Sequence, residues 1–208
     1  LAKEIAAALV EDKKVGICSA FPVLGTVPAE LTQVENLYGV ESDGTKAEKQ
    51  NLLPLGFSIT YRKNRPFPHT LHLVPKTVVL GIGCKRGTEA ESIRALIRET
   101  LEQNQIFKES ICLIASIDLK KDEEGIRICA EELGVPFVTW SAEELEQVRS
   151  EDGFTESAFV RSVAGVGNVC ERSALKGAGT SRLLIRKTAH NGVTVAAAVK
   201  DYTVCMED

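Results

Sequence analysis

The segment GIGCKRGT, Gly81 to Thr88, gathers three glycines, a thiol and two cations within eight positions. An apolar run, TVVLGI (77–82), leads into it, and an amphipathic helical pattern from Thr88 to Gln103 leads out. A strand–glycine–helix corner of this kind leaves backbone N–H groups unpaired at the positive end of a helix dipole. Gly81, Gly83 and Gly87 allow close backbone approach, and Lys85 and Arg86 add charge, so the corner suits a carboxylate or a phosphate. It matches neither common nucleotide motif. Arg86 stands where the dinucleotide fingerprint needs its third glycine, and no Gly-Lys-Ser/Thr follows. Cys84 reads as a nucleophile if the helix end and neighbouring cations lower its pKa, although no histidine stands near as its base. A glycine turn required only for strand–helix packing would explain the same residues.

Two further stretches carry candidate chemistry. ASIDLKKDEEG (115–125) follows a second buried strand candidate, ICLIAS (111–116). It therefore falls at the same C-terminal sheet edge, where open α/β sheets bind ligands. Ser116, Asp118, Lys120 and Glu123 could all face the corner from there. AGVGNVCERSAL (164–175) puts Gly167 and Asn168 before a helix, with Glu171 one turn in. Glu171 has largely apolar neighbours, and partial burial would raise its pKa and suit it to acid–base work. A first-turn glutamate that only stabilises the helix dipole is the alternative. Lys187 ends a strand before a hairpin, where it could pair with a substrate carboxylate or stay solvated.

The elements that must position these residues follow from periodicity and caps. Ile93, Leu96, Ile97 and Leu101 form one apolar helical face, and Thr88 with Glu91 matches a capping box. A helix over about 121–133 ends at Gly134. PFVTW (136–140) reads as a third strand, and Ser141 with Glu144 as a second capping box. VCERSALKGAG (169–179) is a helix, and RLLIRKTAHNGVTVAAAV (182–199) is a hairpin around Asn191-Gly192. The β-α-β-α-β order predicts an α/β fold with three layers: a mainly parallel sheet, helices on both faces and a C-terminal antiparallel hairpin.

This domain is expected over 77–208, after a smaller α/β central domain and linker over 1–76. The first part carries strand candidates VGICS (15–19) and GFSITY (56–61), separated by a polar stretch to Pro54. RPFPHTLHLVPK (65–76), with three prolines, reads as an extended linker. The chain begins at Leu1 inside a helical pattern, so it reads as a fragment lacking an N-terminal part.

Composition narrows the function classes. A net charge of -4 argues against a general nucleic-acid surface, and no apolar run is long enough to cross a bilayer. None of the six cysteines forms a CxxC pair, and no His/Cys cluster has zinc spacing. Reduced thiols in a cytoplasmic protein without a metal site of its own are the resulting expectation.

GIGCKRGT, ASIDLKKDEEG, VGNVCERSAL (166–175) and LLIRK followed by NGVTVAAA (183–198) together resemble the C-terminal domain of the cobalt-precorrin-5A hydrolases, the CbiG proteins of the anaerobic cobalamin pathway. The resemblance covers nearly all of 77–208. Each motif is short, but four in the family's order are fairly specific. Residues 1–76 resemble the family's central region, and on this resemblance the family's N-terminal domain is expected to be missing from the sequence. One departure is Glu171-Arg172-Ser173-Ala174, where many relatives have glutamate followed by alanines. It bears on fine substrate contacts rather than on membership. A shorter relative in the aerobic pathway shares this domain.

The resemblance implies opening of the δ-lactone of cobalt-precorrin-5A, with acetaldehyde release, to give cobalt-precorrin-5B. It implies no cofactor, because the corrinoid substrate carries the cobalt, and neighbouring cobalamin-pathway enzymes as partners; a homo-oligomer stays open. On this reading the amides of 83–87 with Arg86 hold a carboxylate or oxyanion, and Glu171 or Glu123 is the general base. Lys120, Lys187 and Ser116 position the macrocycle. A corrinoid carrier without chemistry is the main alternative, and a nucleotide-using α/β enzyme a weaker one.

Overall fold

The computed structural model describes residues 1–34 and 53–206. The chain divides into two compact units, Leu1–Pro75 with Tyr202–Asp208, and Lys76–Asp201.

In the first unit, helix α1 (Ala2–Val10) precedes strands β1 (Val15–Ser19), β2 (Val23–Leu24), β3 (Leu31–Gln33), β4 (Leu55–Ile59) and β5 (His69–Leu73). Four of them make a parallel sheet in the order β3-β1-β4-β5. Ile5 and Ala8 of α1 pack on Val15. Two expectations are corrected here. The proline-bearing segment is not only a linker, because His69–Leu73 pairs with β4 as an edge strand, the position where nearby prolines cost no ladder bond. The chain's end does not stay with the second part either. Val204–Cys205 pairs in parallel with β2. Of the polar stretch 20–54, residues 35–52 lie outside the described residues.

The second unit contains β6 (Val78–Cys84), α2 (Ala90–Gln103), β7 (Ile111–Ile117), α3 (Glu124–Leu133), β8 (Phe137–Trp140), α4 (Ala142–Glu146), α5 (Ala158–Ala164), α6 (Cys170–Ala178), β9 (Leu183–His190) and β10 (Val193–Val199). The sheet order is β8-β7-β6-β10-β9. β6, β7 and β8 run parallel, and β10 is antiparallel to both β6 and β9. This is the expected α/β architecture with its C-terminal hairpin. Asn191 and Gly192 both have positive φ, 48° and 80°, as a two-residue hairpin turn requires.

The centre of the sheet is built for close helix packing. Gly81 lies between Ala115 on β7 and Ala196 on β10, so a row of small side chains crosses three strands. A Cβ on Gly81 would stand 1.8 Å from the Cys170 carbonyl oxygen of α6. Helix α6 therefore lies directly on the sheet and buries Cys170, Ala174 and Leu175 against Val79 and Leu113. Strand alternation sends Leu80, Ile82 and Ile114 to the other face, where α2 buries Ile93, Leu96, Ile97 and Leu101. Ser141 and Glu144 form the expected capping box, and Gly134 closes α3. The other expected box is absent. Glu89 occupies the N-cap of α2, Thr88 donates instead to the Lys85 carbonyl at 2.7 Å, and Glu91 pairs with Arg94.

Candidate functional site

At the C-terminal ends of β6 and β7 the second unit holds a cavity of about 470 Å³. Its floor is Gly83 and Cys84 from β6, Thr194 from β10, and Val169 and Cys170 from the start of α6. Four cationic side chains line it: Lys85 and Arg86 from the corner, Lys120 from a 3-10 turn (Asp118–Lys120) and Lys187 from β9. No aspartate, glutamate or histidine is among the lining residues. The remaining wall is apolar and comes mainly from α5. The cavity is thus cationic and apolar together.

Seven of the residues singled out in the sequence meet here: Gly83, Cys84, Lys85, Arg86, Lys120, Asn168 and Lys187. The others are placed differently. The corner does hold a carboxylate, but it belongs to the protein. Glu123, just before α3, accepts from the Gly87 N–H and pairs with Lys120 at 2.8 Å. Burial would raise the Glu123 carboxyl, but the Lys120 ammonium and the Gly87 and Thr88 amides together hold it below its ordinary range. The Lys85 N–H is also spent, on the Gly192 carbonyl at 3.1 Å. The Lys85 and Gly87 amides of the corner are therefore not free for a substrate. α3 approaches closely enough for Glu123 to reach because it carries Gly125, whose Cβ would stand 2.3 Å from the Thr88 carbonyl oxygen.

Glu171 is fully buried and outside the cavity lining. Its carboxylate accepts from the Thr155 N–H (2.9 Å) and hydroxyl (3.3 Å), the Asn168 amide (2.7 Å) and the Lys187 N–H (2.8 Å). A carboxylate so fully engaged has no lone pair left for a substrate proton. The role of general base that its apolar setting suggested is corrected to that of a tie between α6, β9 and the 154–157 loop. Two of its donors, Asn168 and Lys187, do reach the cavity with other atoms.

Ser116 is also turned inward, and it donates to the Ile82 carbonyl at 2.7 Å. Asp118 accepts from Thr139 at 2.7 Å and lines an adjoining, more open depression with Asp122 and Ser141, which shares Ile117, Leu119, Val163 and Ala164 with the cavity. Gly81 and Gly167 serve packing, since a Cβ on Gly167 would collide with the Glu156 carboxylate. The nucleophile reading of Cys84, already weakened by the lack of a nearby histidine, finds no support either. Burial pushes its thiol up, and the attraction of Lys120 does not compensate. Cys170, fully buried beside it in the lining, is pushed up to about 11 by burial. Sequence reading missed α5, whose signal was present: apolar residues at 159, 160, 163 and 164 after the N-cap Ser157, which accepts from the Val160 N–H.

Comparison with known proteins now has a geometry to attach to. Residues 78–198, which include every cavity-lining residue, match the model of the family described as cobalamin synthesis G C-terminus. The chain belongs to this family. It is 38% identical over 134 residues to the cobalt-precorrin-5A hydrolase of Salmonella typhimurium, covering 64% of this chain and 37% of that protein. With the enzyme of the same name from Priestia megaterium it shares 34% over 128 residues, covering 62% and 33%. The matched part is thus about a third of the length of these curated relatives. In three dimensions it resembles the crystal structure of CobE, a protein of the cobalamin biosynthetic pathway. That match has a TM-score of 0.55 and 31% identity, and covers 61% of this chain and 93% of CobE. The family match thus falls within the second unit, Lys76–Asp201. Among the described residues no helix is long and apolar enough to cross a membrane, and no cluster of three His, Cys, Asp or Glu could hold a metal ion.

Proposed function

We propose that the cavity binds the cobalt-corrinoid intermediate cobalt-precorrin-5A and that the protein hydrolyses its δ-lactone, releasing acetaldehyde and giving cobalt-precorrin-5B. The observation that carries this reading is the lining: four cations, no carboxylate and an apolar wall. A tetrapyrrole with carboxylate side chains needs that combination, because cations hold the charged edge while apolar residues exclude water from the ring. The curated relatives are named cobalt-precorrin-5A hydrolases, which suggests the substrate and a hydrolysis; lactone opening with acetaldehyde release is what the family resemblance implies.

In this scheme Lys85, Arg86 and Lys187 bind peripheral carboxylates. Lys120, held in place by Glu123, faces the negative charge that develops when water adds to the lactone carbonyl. Water cleaves the acyl C–O bond to give a carboxylate and a secondary alcohol. The C–C bond between that alcohol carbon and the macrocycle then breaks, its electron pair and the hydroxyl proton pass to the ring carbon, and the two-carbon unit leaves as acetaldehyde. The substrate carries the cobalt, so no further cofactor is invoked.

A second reading has an observation of its own. No acid or base of the Asp, Glu or His type lines the cavity, and both candidate carboxylates are engaged internally. A domain that holds the corrinoid without transforming it would look the same.

Anaerobic incubation with cobalt-precorrin-5A, scored for acetaldehyde, separates the two. Turnover by this chain, and its reduction about tenfold or more in Lys187→Met through loss of a charge-assisted contact, is the expected result. Tight binding without acetaldehyde would favour the carrier, and neither binding nor turnover would overturn both.

A further inference from the structure

Phe159, Val163 and Leu119 are 75%, 65% and 59% exposed, yet all three line the cavity. Helix α5, which carries the first two, buries no residue at all. Val160 and Ala164 are half-buried and pack against the cluster of Ile117, Leu145, Val166 and Val169, and polar anchors add to that seat. The Ser157 N–H donates to the Gly167 carbonyl at 2.8 Å, and Arg161 pairs with Glu146 at 3.2 Å and Glu156 at 3.0 Å. Glu156 is in turn held at 2.9 Å by Arg172, a buried residue of α6 whose guanidinium lies 4.0 Å from the Phe154 ring centroid. A buried arginine is thus used to fix a short helix that offers bulky apolar side chains to solvent. Such a patch beside a cavity is a contact surface.

We infer that Phe159 and Val163 of α5, with Leu119, form an apolar clamp against the face of a flat macrocycle whose carboxylate edge is held by the cavity's cations. This deepens the proposed function and rests on it. The occupant follows from size and charge. About 470 Å³ lies at the low end of the roughly 300–1,000 Å³ of ligand pockets. A tetrapyrrole with its side chains cannot be enclosed there, so part of the ring must lie outside, against the rim. The rim residues that meet it are apolar from α5 and the 3-10 turn, and cationic from the corner and β9. A ligand with an apolar face and an anionic edge satisfies both sets.

The test is calorimetric binding of cobyrinic acid, a stable cobalt corrin bearing several carboxylates, to the full chain and to Phe159→Ser, Phe159→Leu and Phe159→Ser/Val163→Ser. The single serine variant should bind about tenfold more weakly and the double variant more weakly still, as expected for apolar area left uncovered. The leucine variant should recover part of the loss. The salt dependence of binding should stay as in wild type, because the charged contacts are untouched. Because these side chains are exposed, folding should not change. Equal affinity of wild type and double variant would overturn the clamp and leave the functional reading standing. No binding by wild type would overturn that reading, and the clamp with it. Loss of a dimer in the double variant, with affinity unchanged, would make the patch an interface between copies and overturn the clamp alone.

Discussion

Glu123, just before α3, and Glu171, in the first turn of α6, are both buried carboxylates at helix starts, but the groups that surround them differ. Glu171 is met by two backbone amides, a side-chain amide and a hydroxyl, all fixed by the fold. Glu123 is met by corner amides and by an ammonium, Lys120, which is also part of the cavity wall. Burial alone would push the Glu123 carboxyl toward the protonated form and toward acid–base chemistry. The donors decide otherwise, because each bond to the ionised oxygen favours the charged state. The lesson is that a buried glutamate becomes a structural tie when the fold supplies donors, and a base only when it withholds them. Of the two, Glu123 is coupled to the cavity through the Lys120 ammonium it pairs with, whereas Glu171 acts on it only by holding Asn168 and the Lys187 backbone in place.

The sharpest way to break this contrast is to remove the fixed tie. Glu171→Ala leaves several buried donors unpaired, each costing about 1–3 kcal/mol, so a loss of about 3 kcal/mol or more is expected in urea unfolding. Glu171→Gln should lose about half as much. If Glu171→Ala were as stable as wild type, the tie would not exist.

The next effect comes from the two glycines that let the helices approach. Gly81→Ala drives a Cβ into the α6 backbone at 1.8 Å, and overpacking of this kind costs about 1–3 kcal/mol. Gly125→Ala meets the Thr88 carbonyl oxygen at 2.3 Å, but inside a helix it regains about 1 kcal/mol of propensity. Gly81→Ala should therefore destabilise more. The reverse order in thermal unfolding would place the tighter contact at α3.

The smallest effect is pH-dependent. The folded Glu123 carboxyl lies below its ordinary 4.5, so its stabilising contribution is fully present above that value. It is lost as pH falls through the folded pKa. Wild type should outlast Glu123→Gln in urea by a constant margin at neutral pH, and the margin should shrink below about pH 4.5. A margin that grew on acidification would mean a raised pKa and a different role for Glu123.

Most of the second unit's framework was legible in the sequence because it rests on local signals. The apolar stripe of α2, the capping box at Ser141 and the positive-φ turn at Asn191-Gly192 each depend on residues a few positions apart. The Thr88–Glu91 box shows the limit. The pattern was right, but the chain reverses one residue later and Thr88 turns to Lys85. The site was half legible. The cations of the corner and Lys120 could be named from their places after strand ends. Lys187 reads the same way in the sequence, but it lies inside β9, which runs on to His190. The apolar wall went unread: α5 carries apolar residues at 159, 160, 163 and 164, but it is only seven residues long, and Phe159 and Val163 line the cavity instead of the core.

By itself the sequence determined the kinds of elements, their order, the charge of the corner and the motifs that mark the family. Those are properties of short windows, governed by backbone sterics and side-chain periodicity. Only the tertiary structure decided which groups find each other. Glu123 fills the anion site at Gly87 from 36 positions away, and Glu171 is claimed by Thr155 and Lys187, 16 positions to either side. The chain's end pairs with β2 at its beginning. Such pairings are set by the packing of a whole sheet, and no local pattern records which donor a buried carboxylate will meet.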